Sequence, residues 1–470
     1  MDKIWLKSYP ANVKHEIDPN EYSSLSDLLN QAFQKHGDTP FAVCMETWMS
    51  YRELDQLSQA LGAWFQAQGL APGSRIALMM PNVPQFAVTM SAILRAGYTC
   101  VNVNPLYTAR ELEHQLKDSG ATAIVILENF AATLSEVIDR TQIQHTVLAS
   151  MGDLLGPFYG RWITFAVRHL AKMVPEFELP LSDKHQVTSF KQAIAEGRQL
   201  TFKSVPQSLD DIAFLQYTGG TTGLSKGAVL THRNIVAAIL QAETWFAPAL
   251  ARLPDLRKVN SIAALPLYHI FALTLCFLAI RQGSHLTLVP NPRDFGKFIE
   301  TLKTRPFHLL PGVNTLFNAL LQHPMFKTID FSNLCLTQAG GMAASEGTAR
   351  AWQAATGSAM IEGWGMSETC AIGTNNPVTQ TTFSGSIGLP LPSIDMAIKD
   401  EQGKSLAQGE SGEICIRGPN VMVGYYKQEE ETRKAFTPDG FMRTGDVGIM
   451  DERGFFRIVD RIKDMIIVSG

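Results

Sequence analysis

Residues 217–232 read YTGGTTGLSKGAVLTH, with four glycines, four threonines and one serine around a single lysine. They follow DIAFLQ (211–216), an apolar run of strand length, and lead into a segment with helical spacing. A strand, a glycine–hydroxyl loop and a helix in that order can hold a polyphosphate. Gly219, Gly220 and Gly223 let backbone N–H groups curl around phosphate oxygens. Thr218, Thr221, Thr222 and Ser225 add hydroxyl donors, and Lys226 adds a point charge for the β- and γ-phosphates. A Walker loop would need its lysine followed by Ser or Thr at the start of a helix. Here the order is Ser225-Lys226-Gly227, so the loop is a phosphate site of another kind.

Towards the N-terminus, helical and strand patterns alternate. YRELDQLSQALGAWFQAQG (51–69) places Leu54, Leu57, Leu61, Trp64 and Phe65 at helical spacing, and PQFAVTMSAILRAG (84–97) predicts a second helix. RIALMM (75–80), TCVNVN (99–104) and TAIVIL (122–127) predict strands between and after them. Such alternation predicts an α/β fold with parallel sheets covered by helices. From residue 385 the texture changes to short strand-like runs between glycine turns, then a hairpin at VGIMDERGFFRIVD (447–460). The expected division is an α/β subdomain over 1–205, a second over 206–384 holding the phosphate loop, a β-rich subdomain over 385–459, and a hinge at 460–470.

The 470 residues carry a net charge of −4, with 45% apolar and 18% charged residues, which fits a globular protein and argues against a general nucleic-acid binder. Six cysteines (44, 100, 276, 335, 370, 415) form no Cys-x-x-Cys pair and suggest neither a disulfide framework nor a metal site. The start, MDKIWLKSYP, lacks the apolar core of a signal peptide, so the expected location is cytoplasmic. LPLYHIFALTLCFLAI (265–280) is too short for a membrane span and contains Pro266 and His269, so it is expected to be a buried helix. RWITFAVRHLAKMV (161–174) is amphipathic: Ile163, Ala166, Val167, Leu170 and Val174 share one face, and Arg161, Arg168 and Lys172 the other. It reads either as a helix packed on its own domain or as a peripheral contact with the cytoplasmic face of the inner membrane.

The 217–232 stretch resembles the signature loop of the adenylate-forming superfamily, which includes acyl-CoA synthetases, luciferases and peptide-synthetase adenylation domains. Further segments follow in the family's order: LPLYHIFALT (265–274) resembles its acyl-site segment, QAGGMA (338–343) its adenine-wall loop, and EGWGMSET (362–369) its Gly-Tyr-Gly-x-Thr-Glu motif. FMRTGDVG (441–448) resembles its ribose-binding turn and DRIKDMIIVSG (460–470) its hinge. NVNPLYTARELEHQL (102–116) and NPRDF (291–295) are most similar to bacterial long-chain fatty-acyl-CoA synthetases.

The resemblance implies the large N-terminal domain of that fold, with two helix-covered, mostly parallel sheets and a small β-barrel-like subdomain, and a reaction in two halves. A fatty carboxylate attacks the α-phosphorus of ATP, and coenzyme A then takes the acyl group from the adenylate. Lys226, Thr222 and Glu368 are the implied catalytic residues, with Mg2+ held by Glu368 and Thr218. Gly340 and Gly341 would lie against adenine, and Glu362, Gly363, Trp364, Gly365 and Ser367 would build the nucleotide site. Trp364 stands where the family usually has tyrosine. Asp446 would hold the ribose hydroxyls, Arg461 a second ribose contact, and Lys463 would approach AMP. Tyr268, His269, Phe271 and Leu273 would line the acyl entrance, with Leu275 and Phe277 beyond. Gly365 occupies a position where acetate-specific relatives carry tryptophan, which implies an opened tunnel. No carboxylate occurs in 265–280 to pair an amino acid's ammonium, which favours a fatty acid. Ligation of an aromatic or other carboxylate, and a nucleotide-binding module without turnover, are the alternatives. Family members are often homodimers, and they continue past the hinge into a small domain of roughly a hundred residues that carries the adenylation lysine. The 470-residue chain is therefore expected to bind ATP or acyl-AMP but to make thioester poorly.

Overall fold

A computed structural model describes residues 3–180, 184–218 and 225–461. The chain divides into two compact units: Tyr22–His232 with Asn260–Pro292, and Met1–Glu21 with Arg233–Val259 and Arg293–Gly470.

The first unit carries β1 (Pro40–Cys44), β2 (Thr47–Ser50), β3 (Arg75–Met79), β4 (Thr99–Asn102), β5 (Ala123–Leu127), β6 (His145–Ala149), β7 (Gln186–Ser189), β8 (Ile212–Tyr217), β9 (Gly227–Thr231), β10 (Asn260–Ala263) and β11 (His285–Leu288). One sheet runs β9-β8-β4-β3-β5-β6-β7 and is parallel except for the β8–β9 pair. A second set, β10-β11-β1-β2, is parallel except for β1–β2. Strands β4 and β5 are buried along their whole length, which is why they read as continuous apolar runs rather than alternating ones. The helices predicted at 51–69 and 84–97 occupy Tyr51–Ala67 and Pro84–Arg95. Helices Tyr51–Ala67 and Ala109–Ser119 open with reciprocal caps, Ser50 with Glu53 and Thr108 with Glu111, each worth about 1 kcal/mol.

The second unit carries β12 (Leu309–Gly312), β13 (Leu336–Ala339), β14 (Met360–Trp364), β15 (Thr374–Asn375), β16 (Leu389–Pro390), β17 (Asp395–Lys399), β18 (Gly412–Arg417), β19 (Gly424–Tyr425), β20 (Met442–Met450) and β21 (Phe456–Arg461). Strands β12, β13 and β14 are parallel, and β15 and β16 continue antiparallel. Strands β17-β18-β20-β21 form an antiparallel sheet that contains the predicted hairpin.

Three expectations change. The barrel-like subdomain is an open sheet with β17 and β21 at its edges among the described residues; four strands of five to nine residues are too few to close a barrel. The loop expected to hold phosphate does not open a helix. It connects β8 to β9 as a hairpin, and the helix begins at His232. Residues 161–174 are not one amphipathic helix: an α-helix over Pro157–Phe165 continues into a π-helical turn over Ala166–Leu170, and Leu170 is exposed. The apolar segment 265–280 gives the buried helix Ile270–Gln282, and no helix among the described residues is long and apolar enough to cross a membrane.

Candidate active site

In the first unit, β8 leads up to the glycine–threonine loop and β9 leads away from it. The Thr218 amide donates to the Lys226 carbonyl at 3.1 Å, so the ladder closes directly at the base of the loop. Gly227 pairs with Tyr217, and a Cβ on Gly227 would lie 3.1 Å from the tyrosine ring, so a glycine fits this crossing. The Tyr217 hydroxyl donates to Asp118 at 2.6 Å, and His114 Nε2 lies 2.9 Å from the Ser225 carbonyl. Helix Ala109–Ser119 thereby braces both ends of the hairpin. Gly219, Gly220, Thr221, Thr222 and Gly223 lie outside the described residues.

The acyl-side segment is tied to the same strand. Gln216 is buried in β8; it accepts from Asn102 Nδ2 at 3.0 Å and donates to the Tyr268 carbonyl at 3.1 Å. Asn82 holds the preceding residues with three bonds, to Ala263, Leu265 and Leu267. Tyr268 and Phe271 are partly exposed, whereas Leu273 and Phe277 are fully buried in the helix. His269 caps that helix, its Nδ1 accepting from the Phe271 amide; its side chain is exposed, yet desolvation by the protein around it lowers its pKa.

The second unit holds the motif 362–369. Strand β13 is followed by Gly340 and Gly341, the latter at φ 76°, a conformation that favours glycine. Buried Glu362 accepts from the Ala344 amide at 3.0 Å, which ties the Gly340–Ala344 loop to β14; burial pushes its carboxyl pKa up. A Cβ on Gly363 would come within 2.8 Å of the Gln338 side chain, which Asn375 also contacts. Trp364 Nε1 donates to Asp446 Oδ2 at 2.8 Å, so the two residues expected at base and ribose touch. Asp446 stands opposite Arg461 across the β20–β21 ladder; Lys463 lies outside the described residues.

Glu368 is buried, and Tyr425 donates its hydroxyl to Oε1 at 2.8 Å. Burial, then the Glu368 charge, raises the Tyr425 pKa. Beyond Ser367 and Glu368 the chain takes two consecutive left-handed residues, Cys370 at φ 53° and Ala371 at φ 62°. Each costs of order 1–3 kcal/mol unless its surroundings fix it. They do: Ala371 donates to the Met366 carbonyl, and fully buried Asn420 donates to the carbonyls of Thr369 and Ile372. That turn also explains Gly365. A Cβ there would sit 2.3 Å from the Ala371 carbonyl, so the glycine admits main chain.

Several supporting residues escaped the sequence reading. Gln216 and Asn102 were detectable as polar residues inside apolar strands. Tyr425 and Asn420 carried no such signal, because their partners lie about fifty residues away.

A family model described as AMP-binding enzyme matches residues 29–426. The chain belongs to the AMP-binding enzyme family. It is 46% identical to a long-chain-fatty-acid–CoA ligase of Yersinia pestis, over all of this chain and 82% of that protein. An anthranilate CoA ligase solved with anthranoyl-AMP superposes at a TM-score of 0.81 with 21% identity, covering 97% of this chain and 81% of that one. A long-chain-fatty-acid-CoA ligase from Archaeoglobus fulgidus gives 0.79 with 24% identity, covering 97% and 87%. At these identities the solved structures speak for the fold alone, and the fold is that of the family's AMP-binding members.

Proposed function

We propose that this AMP-binding enzyme activates a long-chain fatty acid with ATP and transfers the acyl group to coenzyme A. The observation that carries the reading is the 46% identity, over the whole chain, to a ligase of that name. In the first half, a carboxylate oxygen bonds to the α-phosphorus and the bond to pyrophosphate breaks. In the second, the coenzyme A sulfur bonds to the acyl carbon, AMP leaves, and the thiol proton passes to solvent. The loop 218–226 holds the triphosphate, with Lys226 on its outer phosphates and Thr222 among its donors, and Thr218 would help to hold a magnesium ion. Trp364 stacks on the base and positions Asp446 for the ribose hydroxyls. Tyr268, His269 and Phe271 flank the entering carboxylate.

Magnesium takes few protein oxygens and keeps its waters, so one buried carboxylate held by a tyrosine hydroxyl fits it better than a closed cage would. Glu368 is the residue that would hold it, and the ion would offset the charge of the triphosphate.

The test is ATP–pyrophosphate exchange and thioester formation with palmitate against benzoate. Faster exchange with palmitate supports the reading; preference for the aromatic acid overturns it. Lys226→Ala should weaken ATP binding by about tenfold or more and leave AMP binding nearly unchanged, read by calorimetry.

A further inference from the structure

Between the loop that follows β15 and the hairpin that joins β20 to β21 lies a cavity of about 550 Å³, built wholly from the second unit. That volume is in the range of small-molecule sites. Thr379, Ser384 and Ser386 line one wall, and Asp451, Arg453 and Arg457 line the other. None of them belongs to the segments read above as nucleotide or acyl site. Five residues separate Asp446 from Asp451, about 16 Å along extended chain, so the cavity stands apart from the expected ribose contact.

Both walls are fixed by their own hydrogen bonds. Buried Asn376 holds the first: its Nδ2 donates to the Glu362 and Ser386 carbonyls at 2.9 and 2.7 Å. Its Oδ1 accepts from the Ser384 and Ser386 hydroxyls at 2.8 and 2.9 Å. In the second wall, Asp451 Oδ1 accepts from the Arg453 and Phe455 amides, each at 2.9 Å. Asp451 Oδ2 pairs with the Arg453 guanidinium at 3.2 Å, and that guanidinium lies over the Phe455 ring. The Ile387 amide donates to the Phe456 carbonyl at 2.9 Å and joins the two walls.

The polar groups decide the chemistry of the occupant. The loop 377–386 contains no charged residue, and the one carboxylate of the lining, Asp451, is engaged within its own hairpin. Arg457 is exposed and makes no ion pair among the described residues. Two guanidiniums at a concave wall attract an anion, and their forked donors match phosphate oxygens. The Ser384 and Ser386 hydroxyls donate to Asn376, so their oxygens keep lone pairs for a ligand's own hydroxyls. A phosphate on a hydroxyl-bearing body suits both walls; a fatty chain or a cation suits neither. We propose that this cavity is a binding site for a small phosphorylated sugar, separate from the nucleotide site. The proposal is independent of the acyl-CoA reading, since no lining residue takes part in that chemistry.

The test is calorimetry of the 470-residue chain with glucose 6-phosphate, ribose 5-phosphate, inorganic phosphate and glucose. The sugar phosphates should bind, and glucose and inorganic phosphate should bind at least tenfold more weakly. Arg457→Ala should weaken binding by roughly tenfold or more, while Lys226→Ala should leave it unchanged; thermal unfolding shows that each variant folds. In the parent, glucose 6-phosphate should slow phenylglyoxal labelling of Arg453 and Arg457, mapped by peptide mass spectrometry, but not that of exposed Arg350. No binding of either sugar phosphate, equal binding of glucose or inorganic phosphate, or unchanged affinity in Arg457→Ala overturns the proposal. So does loss of binding in Lys226→Ala, which would place the ligand in the loop 218–226.

Discussion

Two apolar helices of the same unit meet opposite fates. Ile270–Gln282 buries nine of its thirteen residues, among them Leu273 and Phe277, the latter edge-on to Phe214 of β8. Its last turn is held by the Tyr51 hydroxyl, which donates to the Ala279 and Ser284 carbonyls. Pro157–Phe165 is also rich in rings, yet buries only Gly160. Apolar content is therefore no measure of burial. What differs is the neighbour: a strand and a helix stand over the first, and a glycine main chain meets the second at one point.

The largest test of that contrast is Phe277→Ala. It should leave a cavity and destabilise the chain by about 3–5 kcal/mol in denaturant unfolding. A loss well under 1 kcal/mol would mean that this helix is not packed as described.

Burial in the same unit should also appear in titration. His232 opens the helix His232–Leu250, and its Nδ1 accepts from the Leu25 amide. Burial pushes its pKa down from the usual 6.5 to about 4, with the Asp211 charge acting in the opposite sense. The unfolded chain thus takes up a proton that the folded chain refuses. The stability from the neutral ring is complete above about pH 6.5 and is lost as pH falls through about 4. The effect is on the order of 3 kcal/mol. His232→Gln keeps an acceptor and should flatten the slope of unfolding free energy between those pH values. An unchanged slope would place the sensitivity elsewhere.

Smaller effects belong to the exposed helix. Arg168→Ala strips the partner from buried Glu128; because the guanidinium is half exposed, the loss should be about 1–2 kcal/mol. Increased proteolysis near residue 170 should accompany it. Trp162→Ala should change stability by no more than about 0.5 kcal/mol. If it costs as much as Phe277→Ala, the ring is covered and the contrast fails.

The local signals in the sequence were strong where chemistry is local. Caps at Ser50 and Thr108, continuous apolar runs at β4 and β5, and the glycine–threonine loop each follow from a few neighbouring residues. The motif 362–369 was legible as a string, and its order with the other segments pointed to the family. The hairpin at 217–227 was not, because Gly227–Thr231 is too short for its period to separate strand from helix.

What the tertiary structure alone decided are matters of direction and long-range partnership. That Gly365 admits main chain is visible only in the fold, where the left-handed turn at Cys370 and Ala371 brings the Ala371 carbonyl within 2.3 Å of a Cβ placed there. Trp364 meets Asp446 across eighty-two residues, and Tyr425 meets Glu368 across fifty-seven. A helical wheel over 161–174 assigned Arg168 to the solvent face, where it stays half exposed, yet its guanidinium ends on the buried carboxylate of Glu128 just past β5, a partner the wheel cannot show. The sequence by itself determined most of the helices and strands, β9 excepted, since those depend on nearest neighbours along the chain. Which face each segment turns inward depends on the element packed against it, and that is fixed only when the chain is folded.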